Sequence, residues 1–419
     1  MSPVRVVLAG LHGYGRTYLP ALRELAAEGR AELVGVCDLR PAGPGQLAGL
    51  GSPRESSDLT ALVRGTGAEL AVVATPLHTH VPLALAALRS GAHVHLEKPP
   101  ASTLDGYERL LAESGRLGLA VQVGFQSLGS TAPAEVRRLV ASGAVGRVDR
   151  ISATAAWSRD EAYYRRAPWA GRRRLPDGTD VVDGALTNPL AHAVATVLAV
   201  DGGEIAVLET ELYRAFDIEA DDTSCLRATT RGGLSDGSPI VVAVTLAAPE
   251  QTPPTITVVG EEGRIVYGYT EDRVRLERPG LSPVETLGER TVLLRHLVEE
   301  LRSPATEAAE VSPVPVSSAP GSPAPASSVP GSPAPAASPP ARPPRPLVPL
   351  ASLRGFMDVL EAVRTAAEPL PLAADDVPSP AGGRRRVVPG ITEIITTAAE
   401  RGALFSELPQ FTALAGRHR

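Results

Sequence analysis

Through the first third of the chain, short apolar runs alternate with stretches whose apolar residues recur at helical spacing. Residues 4–9, 33–37, 70–74, 93–96 and 121–124 read as buried strands. Between them, 16–27, 79–90 and 103–114 read as amphipathic helices. Strand–helix alternation of this kind predicts a parallel sheet covered on both faces. The pattern then changes. A helix is predicted over 131–142, followed by strands at 150–156, 205–212, 225–230, 240–246, 255–259 and 264–267. Gly202-Gly203, Gly232-Gly233, Asp236-Gly237 and Gly260 punctuate these strands as turns. Strands in succession after an alternating half predict a second, α+β domain.

Residues 303–346 are different material. The segment 317–326 is repeated almost verbatim at 327–336, and the composition is Pro, Ala and Ser. Such sequence cannot bury a core and is expected to be a disordered or polyproline-like insert. Helical patterning returns at 353–366, and a strand or loop at 386–389 leads into a helix at 391–401. The predicted organisation is a nucleotide-binding domain over 1–125 and an α+β domain over 126–302. The insert follows, then a helical tail at 347–419 that packs back on the body.

Composition narrows the function classes. Hydrophobic residues make up 43% of the 419 positions but aromatics only 4%, so Leu, Val and Ala must fill the cores. A net charge of −6 argues against nucleic acid or an anionic membrane as partner. Cys37 and Cys225 suit a reducing compartment, no signal peptide is read at the start, and no apolar run approaches the ~18–20 residues of a membrane span. A soluble, cytoplasmic protein with a small-molecule substrate is expected.

Lys98 changes the picture most. All but one of the 41 basic side chains are arginine, and the exception closes the apolar stretch 94–98 before Pro99-Pro100. Arginine stays charged, whereas burial can drive an ammonium toward the neutral amine. A strand's carboxyl end is also where open α/β sheets place ligands. Lys98 therefore reads as catalytic, against the alternative of a surface lysine retained by chance. The first strand runs into Gly10-Leu11-His12-Gly13-Tyr14-Gly15, a dinucleotide turn in which Gly10 and Gly15 fit G-x-G-x-x-G and His12 replaces the middle glycine. Gly13 is the candidate to restore close approach of the pyrophosphate. Asp38 ends the second strand, where an acid binds ribose hydroxyls and favours NAD, while Arg40 leaves NADP open. His78, His80, His93 and His95 lack the ligand spacing of a metal site, and no metal is expected.

These ordered motifs resemble the Gfo/Idh/MocA (glucose-fructose oxidoreductase / inositol dehydrogenase) family: the glycine turn, Cys37-Asp38, Thr75-Pro76 with His80, Glu97-Lys98-Pro99 and Val123-Gly124-Phe125. The resemblance implies a Rossmann domain followed by an α+β domain on a large, mostly antiparallel sheet. It also implies an active site between the two domains, and self-association through that sheet as a dimer or tetramer. It carries a cofactor role onto Thr75, Pro76, His80 and Glu97 beside the glycine turn. The family's second signature, an acid or amide four residues before a histidine, reads here as Asn188 and His192. Spacing i, i+4 puts both on one helix face. Core packing is the alternative for His192. Asn188 stands where many relatives carry aspartate, and Asp183 is the candidate to compensate in space.

Tyr163, Tyr164, Arg166, Trp169 and Arg172 fall in a loop that combines aromatic faces with arginine forks. It reads either as a substrate lid or as an interdomain packing loop. The acidic run at 217–222 reads as a solvated turn. The leading expectation is an NAD(P)-dependent oxidoreductase acting on a sugar, polyol or related hydroxy/keto compound. His192 would take the proton, Lys98 would hold developing alkoxide charge, and Asn188 would orient the pair. The alternatives are an NAD-dependent glycoside-cleaving enzyme with transient redox, and a non-catalytic dinucleotide-binding regulator.

Overall fold

The computed structural model describes residues 1–303, 344–380 and 382–415. Six strands make the first sheet: β1 Val4–Ala9, β2 Ala31–Cys37, β3 Arg54–Ser56, β4 Leu70–Val73, β5 His93–Leu96 and β6 Val121–Val123. All pairings are parallel, in the order β3-β2-β1-β4-β5-β6. Val6, Val7, Leu8 and Ala9 are all buried, because helices close both faces of the sheet. The order reverses between β1 and β4, the position where a doubly wound sheet opens its ligand crevice.

The second sheet has nine strands among the described residues. In chain order they are β7 Val148–Ala156, β8 Glu204–Arg214, β9 Thr223–Arg231, β10 Ile240–Thr245, β11 Thr255–Gly260, β12 Gly263–Gly268, β13 Arg273–Glu277, β14 Val284–Leu287 and β15 Leu370–Pro371. Its pairing is mostly antiparallel, with β10–β7 and β15–β8 parallel. β10 explains the architecture. Ile240, Val242 and Val244 join the core shared with helices Ala191–Asp201 and Arg354–Thr365. Val241 and Ala243, on the opposite face, pack under the C-terminal segment with Ile391, Ile395, Phe405 and Phe411. A strand covered on both sides has no polar alternation, and all six residues are buried.

Two expectations on organisation differ from the structure. Helix Leu293–Arg302, placed in the second domain, sends Leu294, Leu297 and Val298 into the core of the first sheet beside Leu22 and Leu25. Over β7, β9 and β10 the outer face of the large sheet is occupied by the chain's own helix Ile391–Arg401 and its neighbours. The tail also carries strands: β15, and a hairpin of Asp375–Pro378 with Arg384–Val387. The insert expected at 303–346 lies, from 304 to 343, outside the described residues. Cys37 and Cys225 are free and buried. Among the described residues no helix is long and apolar enough to cross a membrane.

Candidate active site between the two sheets

The glycine turn closes the C-terminal end of β1. Gly10 adopts φ +94°, and a Cβ there would lie 2.4 Å from the carbonyl oxygen of Ala74. A Cβ on Gly15 would in turn strike the Gly10 carbonyl, whereas one on Gly13 would meet nothing within 4 Å. The turn is thus pressed against β4 on one side and open at Gly13 on the other. Asp38 secures it: Oδ2 accepts the N–H groups of Leu11 (2.7 Å) and His12 (3.2 Å), and Oδ1 accepts that of Arg40 (3.1 Å). Burial opposes ionisation of this carboxyl, but the three donors outweigh it and hold its pKa below the ordinary value. Each carboxylate oxygen offers about two acceptor sites, so Oδ1 keeps one for a ribose hydroxyl. The open Gly13 side and this acceptor fit a dinucleotide. The His12 imidazole does not face the turn; its Nε2 meets the carbonyl oxygens of Arg40 and Pro41 at 3.2 and 3.0 Å.

Two residues assigned to the cofactor brace the loop instead. His80 is buried, with Nε2 and Nδ1 each 2.8 Å from a carbonyl oxygen, those of Thr75 and Pro99. It ties the end of β4 to the segment carrying Lys98. Glu97 is also turned inward, accepting from the Tyr18 hydroxyl and from the Lys98 N–H at 3.1 Å. A Cβ on Gly124 would lie 3.0 Å from Glu97 Oε1, which accounts for glycine in Val123-Gly124-Phe125.

Lys98 follows β5 and reaches across to the second domain. Its Nζ donates to the backbone oxygen and to Oδ1 of Asn188, both at 2.8 Å. Asn188 Nδ2 donates to Asp183, whose carboxylate also accepts from Arg166 Nη2 (2.8 and 3.0 Å) and from the Gly171 N–H (2.7 Å). Asp183 therefore does stand behind the amide. Burial lowers the Lys98 pKa, and Arg166 adds to the lowering against the opposing pull of Glu97 and Asp183. Burial raises that of Asp183, partly offset by Arg166 and Asn188.

Asn188 is not on a helix. It lies in the turn before helix Ala191–Asp201, and only His192 is helical. The turn is fixed from below by Asp221, which accepts from the Ala185 N–H and the Ser224 hydroxyl. Asp221 and Asp222 are buried and serve backbone N–H groups, contrary to the solvated turn expected there. His192 stacks edge-on against Phe125, with ring centroids 5.3 Å apart, and its Nδ1 lies 3.0 Å from Ser127 Oγ. Ser127 had no signature in the sequence, and neither did Thr196, which donates to it.

The aromatic loop divides. The Arg166 guanidinium sits 3.8 Å from the Tyr163 ring centroid and 4.6 Å from that of Trp169, so these three join the Asp183 network. Tyr164 and Arg172 do not. Tyr164 packs on Phe216 and Arg172 pairs with Glu219, lining a separate cleft of about 650 Å³ that holds none of Lys98, Asn188 or His192.

Residues 4–125 match the oxidoreductase family model with an NAD-binding Rossmann fold, and 134–266 match the Gfo/Idh/MocA C-terminal domain. The chain belongs to the Gfo/Idh/MocA family. Inositol 2-dehydrogenase of Rubrobacter xylanophilus is 36% identical over 117 residues, 28% of this chain and 34% of that protein. A dehydrogenase from Comamonas testosteroni named for 1-carboxy-3-chloro-3,4-dihydroxycyclohexa-1,5-diene is 26% identical over 206 residues, 49% of this chain and 50% of that one. The chain spans half or less of the curated relatives it matches. Among solved structures, the WlbA dehydrogenase of Bordetella pertussis, in complex with NADH and UDP-GlcNAcA, has a TM-score of 0.59 at 23% identity, covering 72% of this chain and 88% of that one. A UDP-N-acetylglucosamine 3-dehydrogenase from Acidithiobacillus ferrooxidans has a TM-score of 0.60 at 14% identity, covering 88% and 98%. These likenesses establish the shared fold.

Proposed function

We propose that this chain is an NAD-dependent dehydrogenase that exchanges hydride with a secondary alcohol or ketone of a sugar, polyol or related hydroxy acid. The observation that carries the reading is the bonding of Lys98 Nζ. An amine has two N–H groups, and Asn188 supplies two acceptors at 2.8 Å. The third tetrahedral direction is a lone pair in the amine and an N–H in the ammonium. Lys98 can thus take a hydroxyl proton, and return it, without breaking either bond. Burial favours the amine, while Asp183, two hydrogen bonds away through the Asn188 amide, keeps the ammonium within reach.

Gly10, Gly13, Gly15, Asp38, Thr75 and Pro76 would hold the cofactor, with the Asp38 carboxylate favouring NAD over NADP by repelling a 2′-phosphate. Bound NAD supplies the hydride acceptor. Arg166, held between Tyr163 and Trp169, offers a guanidinium to substrate hydroxyl or carboxylate groups. The relatives named for inositol and for UDP-N-acetylglucosamine support a polyhydroxylated substrate. The test is to mix purified protein with NAD and a panel of polyols, sugars and sugar acids and follow nicotinamide absorbance. A saturable signal is expected, and silence across the panel with NAD demonstrably bound counts against the reading.

One observation favours a second reading. A glycosyl hydrolase family 109 protein of Saccharopolyspora erythraea is 37% identical over 112 residues, 24% of each chain. Release of a glycoside's leaving group without net change in nicotinamide would select this alternative.

A further inference from the structure

Among the described residues, the side-chain hydrogen bonding on the Nδ1 side of His192 comes from Ser127, backed by Thr196, and both are hydroxyls. Thr196 lies one helical turn after His192 in Ala191–Asp201, and its Oγ1 donates to Ser127 Oγ at 2.8 Å. Ser127 Oγ lies 3.0 Å from His192 Nδ1. Ser127 is 2% exposed and Thr196 fully buried, so bulk solvent does not reach either hydroxyl. A serine hydroxyl has one proton and two lone pairs. Thr196 uses one lone pair. If Nδ1–H donated to the other, the Ser127 proton would be left buried without an acceptor. If Nδ1 accepts, every group is satisfied. The penalty for the first arrangement corresponds to roughly 10- to 100-fold in the tautomer ratio.

We infer that the Thr196–Ser127 hydroxyl chain locks His192 as the neutral tautomer protonated at Nε2, so that the imidazole offers substrate a hydrogen-bond donor and not a base. Ser127 and Thr196 are positioning residues acting through the ring. The surroundings agree. Among the described residues no carboxylate backs the imidazole; burial, then Lys98 and Arg290, push its pKa down to about 3. A hydroxyl–imidazole pair that lacks an acid behind it cannot stabilise an imidazolium as a carboxylate-backed histidine does. The Nε2–H donor complements Lys98: one group holds the reacting oxygen while the other carries its proton. This division of labour rests on the dehydrogenase reading, but the tautomer itself does not.

The test therefore needs no substrate. The full chain, labelled with 15N at histidine, is examined by NMR between about pH 5 and 8, with His192 assigned from the signal lost in His192→Gln. The expected spectrum has Nε2 protonated and Nδ1 unprotonated throughout. Thr196→Val removes a donor to Ser127 but leaves Nδ1 as the acceptor of the Ser127 proton, so the Nε2–H tautomer is expected to persist. Ser127→Ala, which removes the proton that Nδ1 accepts, is expected to bring a measurable population of the Nδ1–H tautomer, and Ser127→Thr to restore the lock. With a substrate in hand, Ser127→Ala is expected to lower kcat by roughly 10-fold with KM for NAD unchanged. Nδ1–H in the unmodified protein, or a tautomer ratio unaffected by Ser127→Ala, overturns the inference.

Discussion

Asn188→Asp isolates the electrostatics of the lysine. The change replaces the amide oxygen 2.8 Å from Lys98 Nζ by a carboxylate of nearly the same shape. Two unit charges at that separation attract by about 6 kcal/mol at an effective dielectric of 20. Most of this is offset. The new carboxylate must be desolvated, and it would face Asp183, to which Asn188 Nδ2 now donates. A net of about 1.4–2.8 kcal/mol remains, one to two pH units in favour of the ammonium. Lys98 is the only lysine in the chain, so isotope labelling at lysine gives a single side-chain signal to titrate. Its midpoint starts below the ordinary lysine value because burial penalises the charge. The variant is expected to titrate one to two units higher, and the acid limb of alcohol oxidation is expected to move up with it. At neutral pH the rate would then fall by about 10- to 100-fold and recover in alkali. An unchanged or lower midpoint would refute the pairing of Lys98 with Asn188 and the proton role built on it.

Three further outcomes follow from the same geometry. Asp38→Ala is expected to weaken NAD by about 1–3 kcal/mol and NADP by less, since a ribose acceptor and a repulsive charge leave together; fluorescence titration with each cofactor reads this, and equal losses would remove Asp38 from the ribose site. His95 and His192 are held near pKa 4 and 3, chiefly by burial, below the value in an unfolded chain. The unfolded chain therefore binds more protons, and stability is expected to fall as pH drops from about 6.5 toward 4, by about 1.4 kcal/mol per unit for each ring; a melting temperature flat across that window would contradict their buried neutrality. Phe405→Ala is expected to cost about 3–5 kcal/mol in denaturant unfolding, because the fully buried ring stacks on Phe411 under the large sheet; a near-zero cost would mean that the tail does not hold this face.

Much of the architecture was written in local pattern. The unbroken apolar run 240–244 of β10 announces a strand covered on both faces, and β1 and β5 have the bounds that their runs predict. What covers the second face was not legible, because Ile391, Ile395, Phe405 and Phe411 lie far along the chain and amphipathicity does not name its partner. β3 is Arg-Glu-Ser at a sheet edge and carries no apolar signal. The helix Leu59–Thr66 did carry one, with Asp58 capping its start and Gly67 its end, and its pattern went unread. Lys98 stood out because composition isolated it. Asn188 and His192 were found through the family's signature, but its four-residue spacing arises here across a turn and not along one helix. Ser127 and Asp221 escaped because hydroxyls and acids in loops look alike until the fold shows which atoms they face.

The most direct test of the account is single-turnover reduction of NAD by a substrate found in the panel, with the unmodified chain, Lys98→Met and Lys98→Arg compared at saturating cofactor. Loss of the group that carries the proton is expected to slow hydride transfer by about 100-fold or more in both variants, since arginine keeps the charge but cannot become the amine. NAD affinity is expected to change little. Hydride transfer at an undiminished rate per bound cofactor in either variant would contradict the claim that Lys98 carries the proton.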